Sequence, residues 1–387
     1  MKIAILTSGR LPVPAVQGGA VENLVDYYLD YNERVTHHEI SVYSIKPNHP
    51  IPQKSTYNHY YYIDTASLWG KFKKFIFKLT HKNGFYDSSI SYYLQQSINS
   101  IKKHQYDAII LENRPGYSIE LSKVTNSPIY LHLHNDMISE NTQKIIEVRK
   151  HISKVLTVSD FIKRRVESIP DGLPVQTIYN GIDIDRFSKA TPCSRNTFGI
   201  KDNDFVFVFS GRLTTEKGIK ELIMAFVSIA PLFPTFKLLI IGGNFYGSSQ
   251  NDDPFIESLK EISEPLSERI IFTGFQSYDK IPGILKMSDV AIIPSVWDDP
   301  YPTTVIEAMA SKMPIIATIS GGIPEMCNNA AILLERNDKL VTNLANAMVD
   351  LFRDKQKRTE LANIAYQKST SLGKDDYSRR FFTSLSV

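Results

Sequence analysis

Residues 290–325 read VAIIPSVWDDPYPTTVIEAMASKMPIIATISGGIPE. The run Val290-Ala291-Ile292-Ile293 has no polar member, as expected of a strand buried on both faces of a parallel sheet. A loop follows with Trp297, Asp298, Asp299 and three prolines. Thr303-Thr304 then opens a helix from Val305 to about Lys312, and this helix carries one acid, Glu307. A second apolar run, Ile315-Ile316-Ala317, reads as the next strand and ends near Gly321-Gly322, where another helix can start. Strand, loop, helix, strand and glycine turn make a βαβ unit. In open α/β sheets, ligands bind beyond the carboxyl ends of the strands. Asp299, Tyr301, Pro302, Thr303, Thr304, Glu307 and the glycine pair all fall at or near that edge.

The α/β pattern extends upstream of this unit. Phe205–Ser210 is a strand, and Gly211-Arg212-Leu213-Thr214-Thr215-Glu216-Lys217-Gly218 follows it before the helix 219–230. Arg212 and Lys217 in a glycine-flanked βα loop suit a diphosphate, the guanidinium as a fork and the ammonium as a point charge. They equally suit a solvated loop with a surface ion pair to Glu216. Residues 237–241 form a strand ending in Gly242-Gly243, and a polar loop covers 244–253. Residues 269–272 form another strand, followed by Thr273-Gly274-Phe275, where a bare backbone can approach a flat ring. Helices are expected at 281–287, 338–353, 355–368 and 375–385.

The front half has the same grammar. Lys2–Thr7 is a strand, Ser8–Gln17 a loop, and Gly18-Gly19 precedes a helix over about 20–31. The glycine pair either lets backbone N–H groups approach an anion or a sugar, or simply makes a tight turn. Strands are expected at 40–43, 106–111, 128–134, 154–158 and 175–179, and Asn48–Tyr62 reads as a loop. Polar groups at Glu112-Asn113-Arg114 and His134 sit at strand ends. His132 and His134 point the same way from one strand. They suit a hydrogen bond to a sugar hydroxyl or a shared proton, and also a metal, for which no third ligand has persuasive spacing. In 69–79, Phe72, Phe75, Ile76 and Leu79 share one helical face and Lys71, Lys74 and Lys78 another. Such a helix can pack its apolar face inward or lie on an anionic bilayer.

Composition bounds these readings. At 387 residues, 42% hydrophobic and 22% charged, the chain suits two domains. The net charge of +3 divides into 21 basic against 16 acidic residues over 1–180 and 23 against 25 over the remainder, too weak an excess for a nucleic-acid reader. Cys193 and Cys327 have no metal or disulfide spacing and read as free thiols of a reducing compartment. The N-terminus reads as a strand, not a signal peptide, and no run of about 18 apolar residues is present.

Taken together, Gly18-Gly19, His134, Asn180-Gly181-Ile182-Asp183, Ser210-Gly211-Arg212-Leu213 with Glu216-Lys217-Gly218, Phe272-Thr273-Gly274-Phe275, Ile306-Glu307-Ala308-Met309-Ala310 and Ser320-Gly321-Gly322-Ile323-Pro324-Glu325 resemble the family-4 retaining glycosyltransferases. That resemblance spans nearly the whole chain. It implies the GT-B fold: two facing Rossmann-like domains with a central cleft. On this reading 1–185 binds the acceptor, 200–365 binds a nucleotide sugar, and 366–387 is a helix crossing back to the first domain. The family's two glutamates separated by seven residues correspond to Asp299 and Glu307, so the first carboxylate here is one methylene shorter. Pro302 stands where the family often has glycine.

By resemblance, Glu307 holds the ribose and Asp299 the donor sugar. Arg212 and Lys217 neutralise the diphosphate, aided by N–H groups near Thr303 and Thr304. His134 touches the donor sugar, and Gly18 and Gly19 approach the diphosphate or acceptor. Gly243, Thr273, Gly274, Phe275, Tyr301 and Pro302 complete the nucleotide-sugar set. The catalytic set is His134, Asp299, Arg212 and Lys217. The triples Asp183-Ile184-Asp185 and Asp202-Asn203-Asp204 fall in the boundary region expected at about 184–203, which does not suit a metal at the site. No cofactor or metal is therefore expected. The expected activity is retaining transfer of a hexose or N-acetylhexosamine, most simply from a UDP sugar, to a glycan or lipid-linked acceptor in bacterial surface polysaccharide synthesis. The alternatives are a sugar-nucleotide epimerase on the same fold and a catalytically silent sugar-nucleotide-binding subunit. The expected location is cytoplasmic, with residues 69–79 a candidate contact with the inner face of the plasma membrane.

Overall fold

The computed structural model describes residues 1–48, 55–80, 88–243 and 253–385, so most of the loop expected at 244–253 lies outside the described residues. The chain divides into two compact units. The first comprises Met1–Asn180 together with the residues from Lys374 on, and the second comprises Gly181–Gly373.

The first unit holds β1 (Lys2–Leu6), β2 (Glu39–Ile45), β3 (Asn58–Ile63), β4 (Ala108–Glu112), β5 (Ile129–Leu133), β6 (Lys154–Thr157) and β7 (Val175–Thr177). Their order is β3-β2-β1-β4-β5-β6-β7, and every pair is parallel. The second unit holds β8 (Phe205–Ser210), β9 (Phe236–Ile241), β10 (Ile270–Gly274), β11 (Val290–Ile293), β12 (Ile315–Thr318) and β13 (Ile332–Leu334). Their order is β10-β9-β8-β11-β12-β13, again all parallel. In each sheet the chain builds outward from a central strand, then reverses. That reversal makes a topological switch point between β1 and β4 in one unit and between β8 and β11 in the other. The central strands are buried on both faces, which is why IAIL, AIILE, VAII and IIAT read as near-continuous apolar runs.

Two expectations need correction. Residues 48–62 were read as a loop, yet 58–63 form β3. Its polar and aromatic side chains are used at the sheet edge: Glu33 accepts the N–H groups of Thr56, Tyr57 and Asn58, and Tyr61 stacks on Tyr43 with centroids 5.0 Å apart. The division falls after Asn180, not within 184–203. The polar residues there are structural: Asp183 caps the helix Ile184–Ser188, and Arg195 bonds the carbonyls of Met287, Asp202 and Asp204 and the Asp289 carboxylate. The helices expected at 355–368 and 375–385 are found as Lys355–Ser369 and Lys374–Ser384. The latter packs on the helix Ala20–Tyr31, with Phe381 stacked on Tyr28 at 4.1 Å. Burying Tyr377 and Phe381 here stabilises the unit by about 1.5–3 kcal/mol for each ring fully buried.

The helix Leu68–Thr80 presents its apolar stripe outward. Gly70, where a side chain would strike the Asp64 carbonyl, is the point at which it seats on the unit. Trp69, Phe75 and Leu79 remain 63%, 59% and 68% exposed. Among the described residues no helix is long and apolar enough to cross a membrane.

Candidate functional site

In the second unit the loops after β8 and β11 meet at the switch point. Gly218, at φ 69°, lies so close to the loop after β11 that a Cβ would sit 1.9 Å from the Pro294 carbonyl oxygen. The Val296 N–H donates to the Glu216 carbonyl at 3.0 Å. This seating brings Lys217 Nζ to 2.5 Å from Asp299 Oδ2, with the two side chains 20% and 6% exposed. Ser295 Oγ donates to the same carboxylate oxygen at 3.4 Å. Trp297 lies beneath the ammonium, 5.8 Å from ring centroid to Nζ. The loop is fixed from the other side by the segment after β12. The Gly322 N–H donates to the Asp299 carbonyl at 2.8 Å, and Gly321 passes too close to that carbonyl for any side chain. Two residues assigned to different parts of one ligand are thus partners of each other. Arg212 instead lies 3.6 Å from Glu216 and stays about half exposed.

A small cavity of about 130 Å³ lies at the carboxyl ends of β8 and β9. Gly211, Gly242 and Gly243 form its floor, Phe275 and Ile281 its walls, and Arg212 its rim. Gly242 adopts φ 139°, with the Gly211 carbonyl occupying the space a Cβ would fill. The Gly274 carbonyl already accepts from the Gly242 N–H at 3.0 Å and the Thr273 hydroxyl at 2.9 Å. Both its lone pairs are engaged, so it cannot itself read a base.

The helix Thr303–Ala310 begins after Pro302 with no side-chain cap; the Val305 N–H donates to the Pro302 carbonyl at 3.1 Å, and the N–H groups of Thr303 and Thr304 are left for a ligand or water. Tyr301 is buried just before it. Glu307 is buried and accepts from the hydroxyls of Tyr278 and Thr303. Burial raises its carboxyl to about 7, opposed by those two hydrogen bonds and by the nearby Arg186. Arg186 stacks over the Tyr278 ring at 4.8 Å.

In the first unit the corresponding edge gathers buried acids and histidines. Glu112 ends β4 and His134 follows β5, with His134 Nε2 2.6 Å and His132 Nδ1 3.1 Å from Glu112 Oε2. The Tyr28 hydroxyl donates to Glu112 Oε1 at 2.8 Å. Asn113 Oδ1 accepts the backbone N–H groups of His134 and Asn135, fixing the strand end. Arg114 Nε donates to the Ser8 carbonyl at 3.0 Å, joining the loops after β4 and β1. Gly18 and Gly19 have φ 79° and 110°, and a Cβ on Gly19 would collide with the carboxylate of Glu22. Glu22 is itself buried, and that burial raises its carboxyl to about 7.

Glu112 supplies the third metal-ligand type that spacing alone did not reveal. Its ligand atoms and those of His132 and His134 lie within 4.8 Å of one another, the one such group among the described residues. The fit to an ion is poor. Two ligands on one zinc are about 3.3 Å apart, whereas His134 and Glu112 are at hydrogen-bond distance. Tyr28 also holds the carboxylate. The two Asp triples serve locally: Asp183 caps a helix, and Asp204 accepts the Lys201 N–H.

Residues 192–368 match the family described as glycosyl transferases group 1. YtcC of Bacillus subtilis (strain 168), described by its name as a glycosyltransferase, is 28% identical over 372 residues, covering 92% of this chain and 84% of that one. Spore coat protein SA of the same organism is 26% identical over 392 residues, covering 96% and 95%. The protein is a glycosyltransferase. A crystal structure of Anabaena Alr3699/HepE in complex with UDP and glucose superposes on this transferase with a TM-score of 0.73 at 19% identity, covering 100% and 99% of the two chains. At that identity the likeness gives the fold, which is GT-B, with two parallel-sheet Rossmann-like units.

Within the glycosyltransferase, the switch-point pair Lys217–Asp299 and the βα loop with Arg212 are the residues sequence motifs singled out. Tyr278, Arg186 and Glu22 were missed. Tyr278 and Arg186 come from segments with no motif, and only the fold brings them to Glu307. Glu22 carried a weak signal: an acid in the first turn after a glycine pair.

Proposed function

We propose that this transferase moves a hexose or N-acetylhexosamine from a UDP sugar to a glycan or lipid-linked acceptor, with retention and without a metal ion, in building a bacterial surface polysaccharide. The observation that carries this is the clustering at the β8/β11 switch point: Lys217, Asp299, Arg212, an uncapped helix start and a glycine-floored slot. The HepE complex holds UDP and glucose on the same fold, which supports that donor class.

The chemical task is to break an anomeric C–O bond while negative charge grows on the leaving diphosphate. Fixed positive groups aimed at that charge are the largest available aid. Lys217, Arg212 and the N–H groups of Thr303 and Thr304 fill that role here without an ion. The slot takes the base, its floor bare enough for a flat ring. Glu307 takes the ribose: a carboxylate has about four lone-pair sites, and Tyr278 and Thr303 occupy two. Asp299 takes a hydroxyl of the donor sugar. In the first unit, His134, Gly18 and Gly19 serve a sugar substrate. Attack by the acceptor hydroxyl on the face from which the diphosphate leaves accounts for retention, since no side chain of the set is assigned as a covalent nucleophile.

The outward stripe of Leu68–Thr80, with Trp69, Phe75 and Leu79 exposed beside Lys71, Lys73 and Lys78, supports contact with an anionic bilayer and hence a lipid-linked acceptor. The test of the donor reading is a thermal-shift screen with UDP, GDP, ADP and their sugars. UDP is expected to stabilise the protein, and Glu307→Ala to weaken that shift. A shift that survives Glu307→Ala unchanged counts against the ribose assignment.

A further inference from the structure

The carboxylate of Glu112 is completely buried and has three partners: the Tyr28 hydroxyl on Oε1, and His134 Nε2 and His132 Nδ1 on Oε2. Burial alone would raise its carboxyl, but the two histidines outweigh that and hold it well below the usual range. It is therefore ionised, and an ionised carboxylate only accepts. Each nitrogen facing it must carry hydrogen. For His134 that nitrogen is Nε2. Burial and the adjoining His132 depress the His134 ring to about 4, with Glu112 pulling the other way, so it is neutral at physiological pH. A neutral ring with hydrogen on Nε2 has a bare lone pair on Nδ1. That atom is buried and has no partner among the described groups.

We propose that Glu112 is a positioning residue that locks His134 in its Nε2–H tautomer, so that Nδ1 is offered at the carboxyl edge of the sheet as an acceptor for a sugar hydroxyl. The direction of the hydrogen bond is the new element. A histidine at a strand end can donate or accept, and this one is set to accept. It orients a hydroxyl without removing its proton, because a ring so hard to protonate is a poor base near neutrality. The lock is built from every side. Tyr28 and Glu22 come from the first helix and His132 from β5, while Tyr377 and Phe381 roof the cluster from the C-terminal helix, Phe381 lying 5.5 Å from the His132 ring.

The tautomer itself does not depend on the transferase reading; only its use on a sugar does. The experiment is side-chain 15N NMR of the full chain from pH 5 to 8, with His134 assigned by its loss in His134→Gln. The expected result is a neutral Nε2–H ring that does not titrate over this range. An Nδ1–H ring, or one that charges near pH 6.5, overturns the proposal. Glu112→Gln keeps the shape and offers one acceptor oxygen instead of two. It is expected to give mixed tautomers and to lower kcat for donor turnover by roughly tenfold or more, with UDP affinity unchanged. Parent-like tautomer and kcat in Glu112→Gln would overturn the positioning role. If no donor turns over in the parent while the tautomer is as expected, the transferase reading of the site fails and the lock stands.

Discussion

Lys217 and Asp299 close an ion pair across the β8/β11 switch point, with Nζ 2.5 Å from Oδ2. Asp299 is nearly buried and Lys217 mostly so, which makes removal of one partner costly to the other. On the proposed reading, a diphosphate arriving at Lys217 would compete with Asp299 for the ammonium, and Asp299 would become available to a sugar hydroxyl as the lysine turns away. Donor binding and sugar capture would then be coupled through this pair. Lys217→Ala is expected to destabilise the fold by about 3 kcal/mol, because it strands a buried charge, and to weaken UDP. Asp299→Asn is expected to leave UDP binding intact or tighter while reducing sugar turnover roughly tenfold or more. Calorimetric titration of UDP beside donor turnover checks both, and equal loss of the two in Asp299→Asn would show the pair is not a switch between ligands.

Glu307 gives a pH dependence of stability with a defined sign. Its carboxyl is raised from 4.5 to about 7, burial being the leading cause. A raised acid contributes stability that is full below about 4.5 and is lost as pH rises through about 7. Glu22 and Asp26, each also raised to about 7 with burial first, act in the same direction. Unfolding midpoints measured from pH 5 to 8 should therefore fall toward pH 8, and less steeply in Glu307→Gln. UDP binding should run the other way, strengthening as Glu307 ionises to accept the ribose hydroxyls. A UDP affinity flat between pH 6 and 8 would contradict that role.

Gly218 is required by space as well as by backbone. A Cβ there would meet the Pro294 carbonyl oxygen at 1.9 Å, and φ is 69°. Gly218→Ala must push apart the two loops that carry Lys217 and Asp299. It is expected to lower stability by about 1–3 kcal/mol and to weaken UDP together with it. Gly172, also at positive φ but with nothing within 4 Å, is the control and should lose less stability and no UDP affinity.

The helix Leu68–Thr80 supplies a test of the membrane contact. Phe75→Ser with Leu79→Ser removes exposed apolar area without touching the core, so stability should be unchanged within about 0.5 kcal/mol. Flotation with vesicles containing anionic lipid should show the parent bound and the double variant released. Binding of both, or of neither, would dismiss this helix as the contact.

Much of the fold was legible because buried parallel strands announce themselves. The run Phe205–Ser210 and the helix Ile281–Met287 have the bounds their sequence pattern indicates. The same physics explains the failures. β3, rich in tyrosine and asparagine, earns its place through hydrogen bonds to Glu33 and ring stacking, which no periodicity encodes. The helix Ser88–Ile101, SSISYYLQQSINSI, has no charged residue, and a polar stretch of serine, glutamine and asparagine obscures its apolar stripe, so nothing marked it. The apolar face of Leu68–Thr80 reads the same whether it points in or out; only the seat of Gly70 on Asp64 decides. At the candidate site, glycine-flanked loops and strand-end residues could be found one by one. Their pairings could not: Lys217 and Asp299 lie 82 residues apart, and Glu112 and His134 lie 22 apart.

The most direct measurement is donor turnover by the purified chain in the presence of EDTA, with a panel of UDP, GDP and ADP sugars and the anomeric configuration of the released or transferred sugar followed by NMR. The expected result is UDP released from at least one UDP sugar with the configuration kept and no response to added divalent cation. Inversion, strict dependence on a cation, or binding of a nucleotide with no turnover of any sugar would contradict the proposed reaction.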